Sequence, residues 1–263
     1  MPEPVAEVAL PATTESSSEV QGQHYDRLID RYERHATDAW TRRYRRRFID
    51  EPLLSGIELK GSRVLEAMCG TGHSTGLLLE RGASVTGLDV SGEAIALYRR
   101  KWPRCEAIVG SILDEILPPE SFDVVIVVGG LHHVHPNVDD AVLHIWKLLK
   151  PGGYLCFSEP HTGSLIDHAR RLWYRRDPMF EANEAAVDIA ALHRATEGKF
   201  DVVQEKYFGN IAHTLVLNSM ILRAPRWLKR IYARLAMWLE APLNLILGRR
   251  LSCSVSCQWQ KRA

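Results

Sequence analysis

The chain has 263 residues, of which 46% are hydrophobic and 25% charged, the ordinary proportions of a soluble globular protein. This length fits one large α/β domain with appendages, or one and a half domains. The formal net charge of +1 excludes a protein that binds polyanions through its overall charge. Positive charge is instead concentrated in two segments, residues 42–47 and 223–250, where an anionic surface would be met.

The first 57 residues predict a tail followed by two helices. Residues 1–22 are rich in Pro, Ala, Glu, Ser and Thr and lack the basic start and apolar core of a signal peptide. We therefore expect a disordered tail here. Residues 23–57 predict an N-terminal helical cap, with helices at 25–39 and 40–54 that end at the breakers around Pro52 and Gly56.

Strands and helices alternate through the remaining domain, residues 58–263. The predicted strands lie at residues 63–67, 84–89, 106–110, 122–128, 154–158, 199–208 and 252–260. Helices are predicted at residues 74–80, 91–101 and 138–149, with Ser91 as an N-cap, and helical inserts at residues 161–195 and 210–248. This order predicts an α/β fold with a doubly wound, mostly parallel seven-stranded sheet and helices on both faces.

A glycine-rich turn follows the first predicted strand. Residues 64–72 read VLEAMCGTG, and the second strand ends at Asp89. Such an arrangement forms a nucleoside pocket at the carboxyl ends of two adjacent parallel strands, where Asp89 can accept both hydroxyls of a ribose. The spacing Gly70-x-Gly72-x-x-x-Gly76 differs from the G-x-G-x-x-G of dinucleotide sites, and no phosphate-binding G-x-x-x-x-G-K-S/T loop is present.

Three motifs together carry a family resemblance. The turn at residues 64–72, GGLHH at 129–133 and KPGG at 150–153 resemble class I (Rossmann-like) S-adenosylmethionine-dependent methyltransferases that act on small molecules. The resemblance covers about residues 60–160 strongly and the last two strands more weakly. Met68 stands where that family commonly has glycine, and Glu66 replaces the commoner aspartate. The cofactor that the resemblance implies is S-adenosylmethionine.

The resemblance also implies roles for individual residues in holding that cofactor. Glu66 is expected near the methionine amino group, Asp89 at the ribose and Val90 against the adenine. Ser111, or alternatively Asp114, is expected to accept a hydrogen bond from the adenine amino group. Further contacts are expected from Cys69, Gly70, Thr71, Gly72 and, after the fourth strand, Gly129.

The candidate catalytic and acceptor-binding residues follow the fourth and fifth strands and the N-terminal helices. His133 and His161 are the candidate bases, since a neutral histidine can take a proton from a hydroxyl or amine. Either histidine can instead be structural. The predicted substrate-binding residues are Tyr25, Tyr32, Trp40 and Glu159, and the three aromatic residues can alternatively be ordinary helix packing. We predict no metal site, because adjacent histidines rarely point at one centre.

Residues 226–239 have the periodicity of an amphipathic helix. Its predicted apolar face comprises Trp227, Leu228, Ile231, Leu235, Trp238 and Leu239. Its predicted basic face comprises Arg226, Lys229 and Arg230, with Arg234 at the border and Met237 on the wrong side. Such a helix can lie at a membrane interface, or it can be a lid packed on the sheet with its cations in water.

These patterns predict an enzyme that transfers a methyl group to a hydrophobic or lipid-like small molecule at oxygen. Five scattered cysteines indicate a reduced, cytoplasmic protein, and no apolar run reaches the roughly 20 residues of a membrane span. We expect a small-molecule acceptor and no nucleic-acid partner, and peripheral contact of residues 226–239 with the inner face of a membrane stays open beside the packed lid. The alternatives are a nicotinamide-dependent oxidoreductase and a non-catalytic, membrane-associated partner protein that retains the fold.

Overall fold

The computed structural model describes residues 37–168, 185–219 and 226–263. Tyr25, Tyr32, the predicted tail at residues 1–22 and most of the helix predicted at 25–39 lie outside the described residues. The same holds for residues 169–184, in the middle of the insert predicted at 161–195.

Seven strands form a single sheet in the order β3-β2-β1-β4-β5-β7-β6. The strands are β1 (Arg63–Ala67), β2 (Ser84–Asp89), β3 (Glu106–Val109), β4 (Phe122–Val128), β5 (Leu149–Pro160), β6 (Phe200–Phe208) and β7 (Ser254–Lys261). Neighbours from β3 to β5 run parallel, and β7 lies antiparallel between β5 and β6. The predicted α/β fold with a mostly parallel seven-stranded sheet is confirmed.

The helices connect these strands and cover the sheet. They are α1 (Ala39–Arg45), α2 (Glu51–Leu53), α3 (Thr75–Glu80), α4 (Gly92–Lys101), α5 (Val138–Leu148), α6 (Ile189–Ala195) and α7 (Arg226–Ile246). A π-helical turn, Arg46–Asp50, joins α1 to α2, and another spans His213–Leu217. The Ser91 hydroxyl accepts a hydrogen bond from the Ala94 backbone at 3.0 Å, which confirms Ser91 as the N-cap of α4.

The central strand β4 shows why this sequence makes a sheet with two covered faces. Val125 and Val127 pack into a cluster on one face, whereas Val124 and Ile126 pack into a cluster on the other. Successive side chains of a strand point to opposite faces, so a continuous apolar run must be buried on both sides. The strand order reverses between β1 and β4, which opens a crevice at their carboxyl ends.

Helix α7 turns two charged side chains toward the protein interior. The Lys229 ammonium lies 2.5 Å from Asp38 Oδ2 and 3.1 Å from Ser219 Oγ. Three turns further on, the buried Glu240 carboxylate accepts hydrogen bonds from the Tyr44 hydroxyl at 2.9 Å and from the Ala212 backbone at 2.8 Å. The expectation that Lys229 lies in water is therefore wrong, because partners distant in sequence hold it inside.

The opposite side of α7 is apolar and faces solvent. Its most exposed large side chains, between 60% and 89% accessible, are Trp227, Ile231, Leu235, Trp238, Leu245 and Ile246. At about 100° per residue the first four of these share one face with Pro242 and Leu245. Two buried charges thus fix the rotation of α7 so that its apolar stripe points outward. No helix among the described residues is long and apolar enough to cross a membrane.

Candidate cofactor and acceptor site

The glycine-rich turn after β1 leaves open space beside its backbone. Gly70 has a φ of +54°, and no atom of the described residues lies within 4 Å of the position that a Cβ would occupy. Gly72 serves packing instead, because a Cβ there would lie 2.5 Å from Trp102 Nε1. Met68 adopts a φ of +53°, in the left-handed region that favours glycine. The turn therefore presents bare backbone at Gly70.

Asp89, the last residue of β2, joins two neighbouring turns. Its Oδ2 accepts a hydrogen bond from the Gly70 backbone N–H at 2.7 Å, and its Oδ1 accepts one from the Ser91 N–H at 2.9 Å. The side chain is half-buried, so part of the carboxylate is reachable. A carboxylate offers about four acceptor positions in all. The role of Asp89 in accepting ribose hydroxyls stays a prediction.

Glu66 is buried at the end of β1 and is bonded to the first turn of α3. Its Oε1 accepts a hydrogen bond from the Ser74 N–H at 3.0 Å, and its Oε2 accepts one from the Thr75 hydroxyl. Burial raises the pKa of Glu66 to about 7, although the bonds from Thr75 and Ser74 act in the opposite direction. The carboxylate thus belongs to the network around α3, and its contact with a methionine amino group stays a prediction.

The raised pKa of Glu66 predicts a stability that depends on pH. The unfolded chain releases this proton near the ordinary pKa of 4.5, whereas the folded protein keeps it until about pH 7. The free energy of unfolding should therefore fall by on the order of 3 kcal/mol as the pH rises through this window. In Glu66→Gln, whose side chain does not titrate, the free energy of unfolding should no longer show this decrease. The measurement is urea unfolding between pH 4 and 8. Identical pH profiles for variant and wild type would contradict the assignment.

The turn after β3 holds the two residues predicted at the adenine amino group. The buried Ser111 hydroxyl accepts a hydrogen bond from the Leu113 N–H at 3.1 Å, and Asp114 Oδ2 accepts one from the Ser111 N–H at 3.3 Å. Val90 follows Asp89 directly and is half-buried. Because Ser111 and Asp114 are both bonded within one turn, the choice between them as the adenine contact stays open.

A second glycine turn follows β4 and is bonded to the end of β5. Gly129 has a φ of +72°, and its backbone N–H donates to the Ser158 carbonyl at 2.9 Å. Glu159 is buried, and its Oε1 accepts hydrogen bonds from the Gly130 and Leu131 N–H groups at 2.8 and 2.9 Å. Glu159 therefore anchors the turn, which does not favour its predicted role as a direct substrate contact.

The two histidines predicted as bases occupy different surroundings. His161 is buried, with Nδ1 2.9 Å from the Thr162 carbonyl and Nε2 3.0 Å from the Ser252 carbonyl. Burial lowers its pKa. His133 is half-buried, and its ring lies 3.8 Å from that of His132. Because both ring nitrogens of His161 face backbone carbonyls, its geometry does not favour the predicted base role.

Among the predicted acceptor-binding aromatic residues, the one within the described part of the chain is Trp40, in helix α1. It lines a cavity of about 480 Å³ together with Asp38, Ala39, Trp227, Lys229 and Arg230. The described residues contain no group of three histidine, cysteine or carboxylate side chains that could hold a metal ion. Whether the cavity receives an acceptor stays a prediction.

The carboxyl ends of β1, β2 and β4 bring the predicted cofactor residues together. Gly70 and Asp89 are in direct contact, and the bare backbone of Gly129 lies at the end of the neighbouring strand β4. Sequence reasoning missed the contact between His132 and Glu159, which are 27 residues apart and follow no common period. Only the adjacency of β4 and β5 could have indicated it.

These features suit S-adenosylmethionine. Bare backbone at Gly70 and Gly129 leaves room for a ligand, and the half-buried Asp89 carboxylate is bonded to the Gly70 backbone. The fold and the arrangement of the site resemble those of class I, Rossmann-like methyltransferases. The sequence model of the family described as "Methyltransferase domain" matches residues 64–153 of this chain. S-Adenosylmethionine is the cofactor that the family and fold imply.

Named relatives share the same region of sequence. The chain is 35% identical over 107 residues to "Phthiotriol/phenolphthiotriol dimycocerosates methyltransferase 1" of Mycobacterium ulcerans. The aligned residues are 39% of each chain. It is 32% identical over 106 residues to "Fatty-acid O-methyltransferase" of Mycolicibacterium smegmatis, and the aligned residues are 39% of this chain and 38% of that relative. The chain thus spans about two fifths of the length of these relatives.

A solved structure extends the likeness to nearly the whole chain. The S-adenosylmethionine-dependent methyltransferase of Archaeoglobus fulgidus superposes with a TM-score of 0.59 at 19% identity, over 89% of this chain and 99% of that one. At this level of identity the likeness shows the fold alone. What the relatives act on therefore bears on this protein only as a proposal.

Proposed function

We propose that this protein transfers the methyl group of S-adenosylmethionine to an oxygen atom of a lipid-like small molecule. The observation that carries the proposal is the Asp89 carboxylate, bonded to the Gly70 and Ser91 backbone beside open space. The cofactor supplies a methyl group made electrophilic by its sulfonium. The protein holds the acceptor oxygen in line with that methyl group and keeps water away.

The proposed cofactor contacts follow from the two glycine turns. Asp89 accepts the ribose hydroxyls, Val90 packs on the adenine, and Ser111 or Asp114 accepts from the adenine amino group. Glu66 attracts the methionine ammonium through its negative charge. Backbone groups of Cys69, Gly70, Thr71, Gly72 and Gly129 complete the proposed contacts. A nicotinamide-dependent oxidoreductase is disfavoured by the glycine spacing, and a nucleic-acid partner by GGLHH in place of the Asn/Asp-Pro-Pro-Tyr/Phe element.

An apolar acceptor is supported by three observations. Helix α7 exposes an apolar stripe, and the cavity beside it is lined by Trp40 and Trp227. One relative is named for fatty acids. A lipid-like acceptor would be sparingly soluble in water, so an enzyme that meets its substrate at a membrane surface would gain access to it.

Peripheral contact with an anionic membrane is the second part of the proposal. The apolar stripe of α7 is flanked by the exposed Arg230 and Arg234, and Arg249 and Arg250 follow the helix. Cations beside an interfacial apolar face attract anionic lipid headgroups, at about 1 kcal/mol for each Lys or Arg. Trp227 and Trp238 suit the boundary between headgroups and acyl chains. The inward anchors Lys229 and Glu240 hold this face outward.

The test is transfer of a radiolabelled methyl group from S-adenosylmethionine by the full chain. The probe acceptors are 4-dodecylphenol and unsubstituted phenol, each presented with vesicles. We expect an organic-extractable methyl ether from 4-dodecylphenol at a rate at least about tenfold above that from phenol, since a buried alkyl chain contributes about 0.8 kcal/mol per CH₂. Equal rates would contradict an apolar acceptor. NAD(P)H binding without methyl transfer would favour the oxidoreductase.

A further inference from the structure

Glu159, near the end of β5, contacts His132 as well as the glycine turn that follows β4. While Oε1 accepts from two backbone N–H groups, Oε2 lies 2.7 Å from Nδ1 of His132. The Glu159 side chain is fully buried, whereas that of His132 is 15% accessible. The two residues thus form a carboxylate–imidazole pair at the carboxyl ends of β4 and β5.

The bonds of Glu159 decide which nitrogen of His132 carries the proton. An ionised carboxylate can only accept hydrogen bonds, as Glu159 Oε1 does from the Gly130 and Leu131 N–H groups. In the neutral imidazole the nitrogen that faces such an acceptor must be the one with hydrogen. Nδ1 is therefore the donor to Glu159, and Nε2 has the free electron pair that a base requires.

The position of the His132 ring connects it with the cofactor crevice. Its Cε1 atom, which joins the two ring nitrogens, lies 4.0 Å from the position that a Cβ on Gly129 would occupy. Gly129 is the first residue after β4 and lies beside the end of β1, where the other glycine turn begins. The ring therefore lies along the bare backbone of the turn, and part of it remains open to an incoming molecule.

Two other histidines, His161 and His193, differ from His132 in their surroundings. His161 has backbone carbonyls at both ring nitrogens, so neither is free to take a proton from an acceptor. A similar pair, in which His193 Nε2 lies 3.0 Å from Glu205, belongs to α6 and β6 at the far edge of the sheet. His132 combines a carboxylate partner with a position beside Gly129 at the crevice.

We propose that His132 is the general base of the methyl transfer and that Glu159 is its positioning residue. This inference rests on the proposed function. The acceptor's O–H proton passes to Nε2 while the O–H electron pair forms the new bond from oxygen to the methyl carbon. The electron pair of the breaking S–CH₃ bond returns to sulfur, so the positive charge of the sulfonium ends on the His132 imidazolium, which Glu159 stabilises.

A base at this position narrows the class of acceptor. A carboxylic acid is already ionised at neutral pH and needs no base, whereas a phenol or alcohol must lose its proton as the new bond forms. The pair therefore fits a lipid-like molecule with a hydroxyl group, rather than a free fatty acid. With 4-dodecylphenol and dodecanoic acid as probes, the wild type should methylate the phenol in preference to the acid.

The tautomer of His132 can be tested without any acceptor. Long-range ¹H–¹⁵N spectra of the full chain, labelled in its histidine rings and assigned by the signals that His132→Asn removes, should show Nδ1–H in neutral His132. In Glu159→Gln the side-chain oxygen keeps the backbone N–H bonds and its NH₂ group turns to Nδ1, so the ring should switch to Nε2–H. Nε2–H in the wild type would overturn the proposal.

The kinetic test uses the same variants and a matched control. Asparagine at position 132 can still donate to Glu159 but cannot act as a base. His132→Asn should lower kcat with 4-dodecylphenol about 100-fold or more and leave KM unchanged. The wild-type rate should fall at low pH, whereas the low rate of His132→Asn should not depend on pH in that range. Glu159→Gln should lose a similar factor, and the control His193→Asn should keep the wild-type rate.

The outcomes of these measurements distinguish an error in the assignment of the base from an error in the acceptor class or in the proposed function. Loss of rate in His133→Asn with full rate in His132→Asn would overturn the assignment of His132 as the base. Preferred methylation of dodecanoic acid would overturn the proposed acceptor class. Failure of the wild type to bind S-adenosylmethionine would instead remove the proposed function, while the tautomer measurement still decides whether the pair exists as described.

Discussion

Asp89→Ala should weaken the binding of S-adenosylmethionine and S-adenosylhomocysteine by at least about 100-fold, as measured by calorimetry. In the wild type Asp89 is half-buried and its carboxylate is bonded to the Gly70 and Ser91 N–H groups, and we propose that it also accepts the ribose hydroxyls. Hydrogen bonds to a charged group contribute about 1.5–3 kcal/mol each, so about 100-fold is the smallest loss of affinity that two missing hydroxyl contacts would give. The change leaves the sheet itself intact, since Asp89 is the last residue of β2.

Two further variants separate ribose binding from general disturbance of the turns. Asp89→Asn keeps an oxygen acceptor and a similar shape, so it should lose less affinity than Asp89→Ala. Asp201→Ala removes an exposed aspartate of β6 that is paired with Arg262, and it should bind as the wild type does. Unchanged affinity in Asp89→Ala, with normal circular dichroism and melting temperature, would contradict the ribose assignment.

Replacing Trp227 and Trp238 together with serine should abolish association with anionic vesicles. Both indoles are about two thirds exposed on α7, in line with Ile231 and Leu235. Burial of a large apolar side chain contributes about 1.5–3 kcal/mol, so the double change should lower the partition coefficient at least about 100-fold. The measurement is sedimentation with vesicles of phosphatidylcholine and phosphatidylglycerol in a 3:1 ratio.

The control for this experiment is a second exposed apolar pair on the same protein. Val202 and Val203 lie about half exposed on β6, outside α7, so replacing both with serine should leave vesicle binding unchanged. Binding of the wild type should also weaken as salt is added, because the flanking arginines act through screened charges. If the wild type does not bind anionic vesicles, the membrane proposal is contradicted, whereas the methyl transfer proposal is unaffected.

The sheet and its ligand edge could be predicted because their causes are local in sequence. The β-branched run of β4 requires burial on both faces, and the VLEAMCGTG turn with Asp89 marks the crevice. Strand ends differ from prediction by a few residues: β5 runs through residues 149–160 rather than 154–158, because Leu149 already pairs with Phe122 and the register shifts across KPGG before Tyr154 pairs with Val124.

The orientation of α7 could not be predicted, because long-range partners decide it. Periodicity finds the apolar stripe and assigns Lys229 to a face in water. Lys229 instead bonds to Asp38, and Glu240 accepts a hydrogen bond from Tyr44, both partners lying almost 200 residues away in sequence. These inward contacts orient the helix so that its apolar stripe faces solvent. The pairing of His132 with Glu159 was hidden for the same reason: two neighbouring strands create it, and no spacing along the chain reveals it.

The central claim is that the crevice at the carboxyl ends of β1, β2 and β4 holds S-adenosylmethionine. The most direct test is calorimetric titration of S-adenosylmethionine and of S-adenosylhomocysteine into the full chain. The account predicts one site per chain with a dissociation constant on the order of micromolar for either ligand, or about −8 kcal/mol. Absence of heat from both ligands at millimolar concentration, with the protein folded, would contradict it and would favour a non-catalytic partner protein that retains the fold.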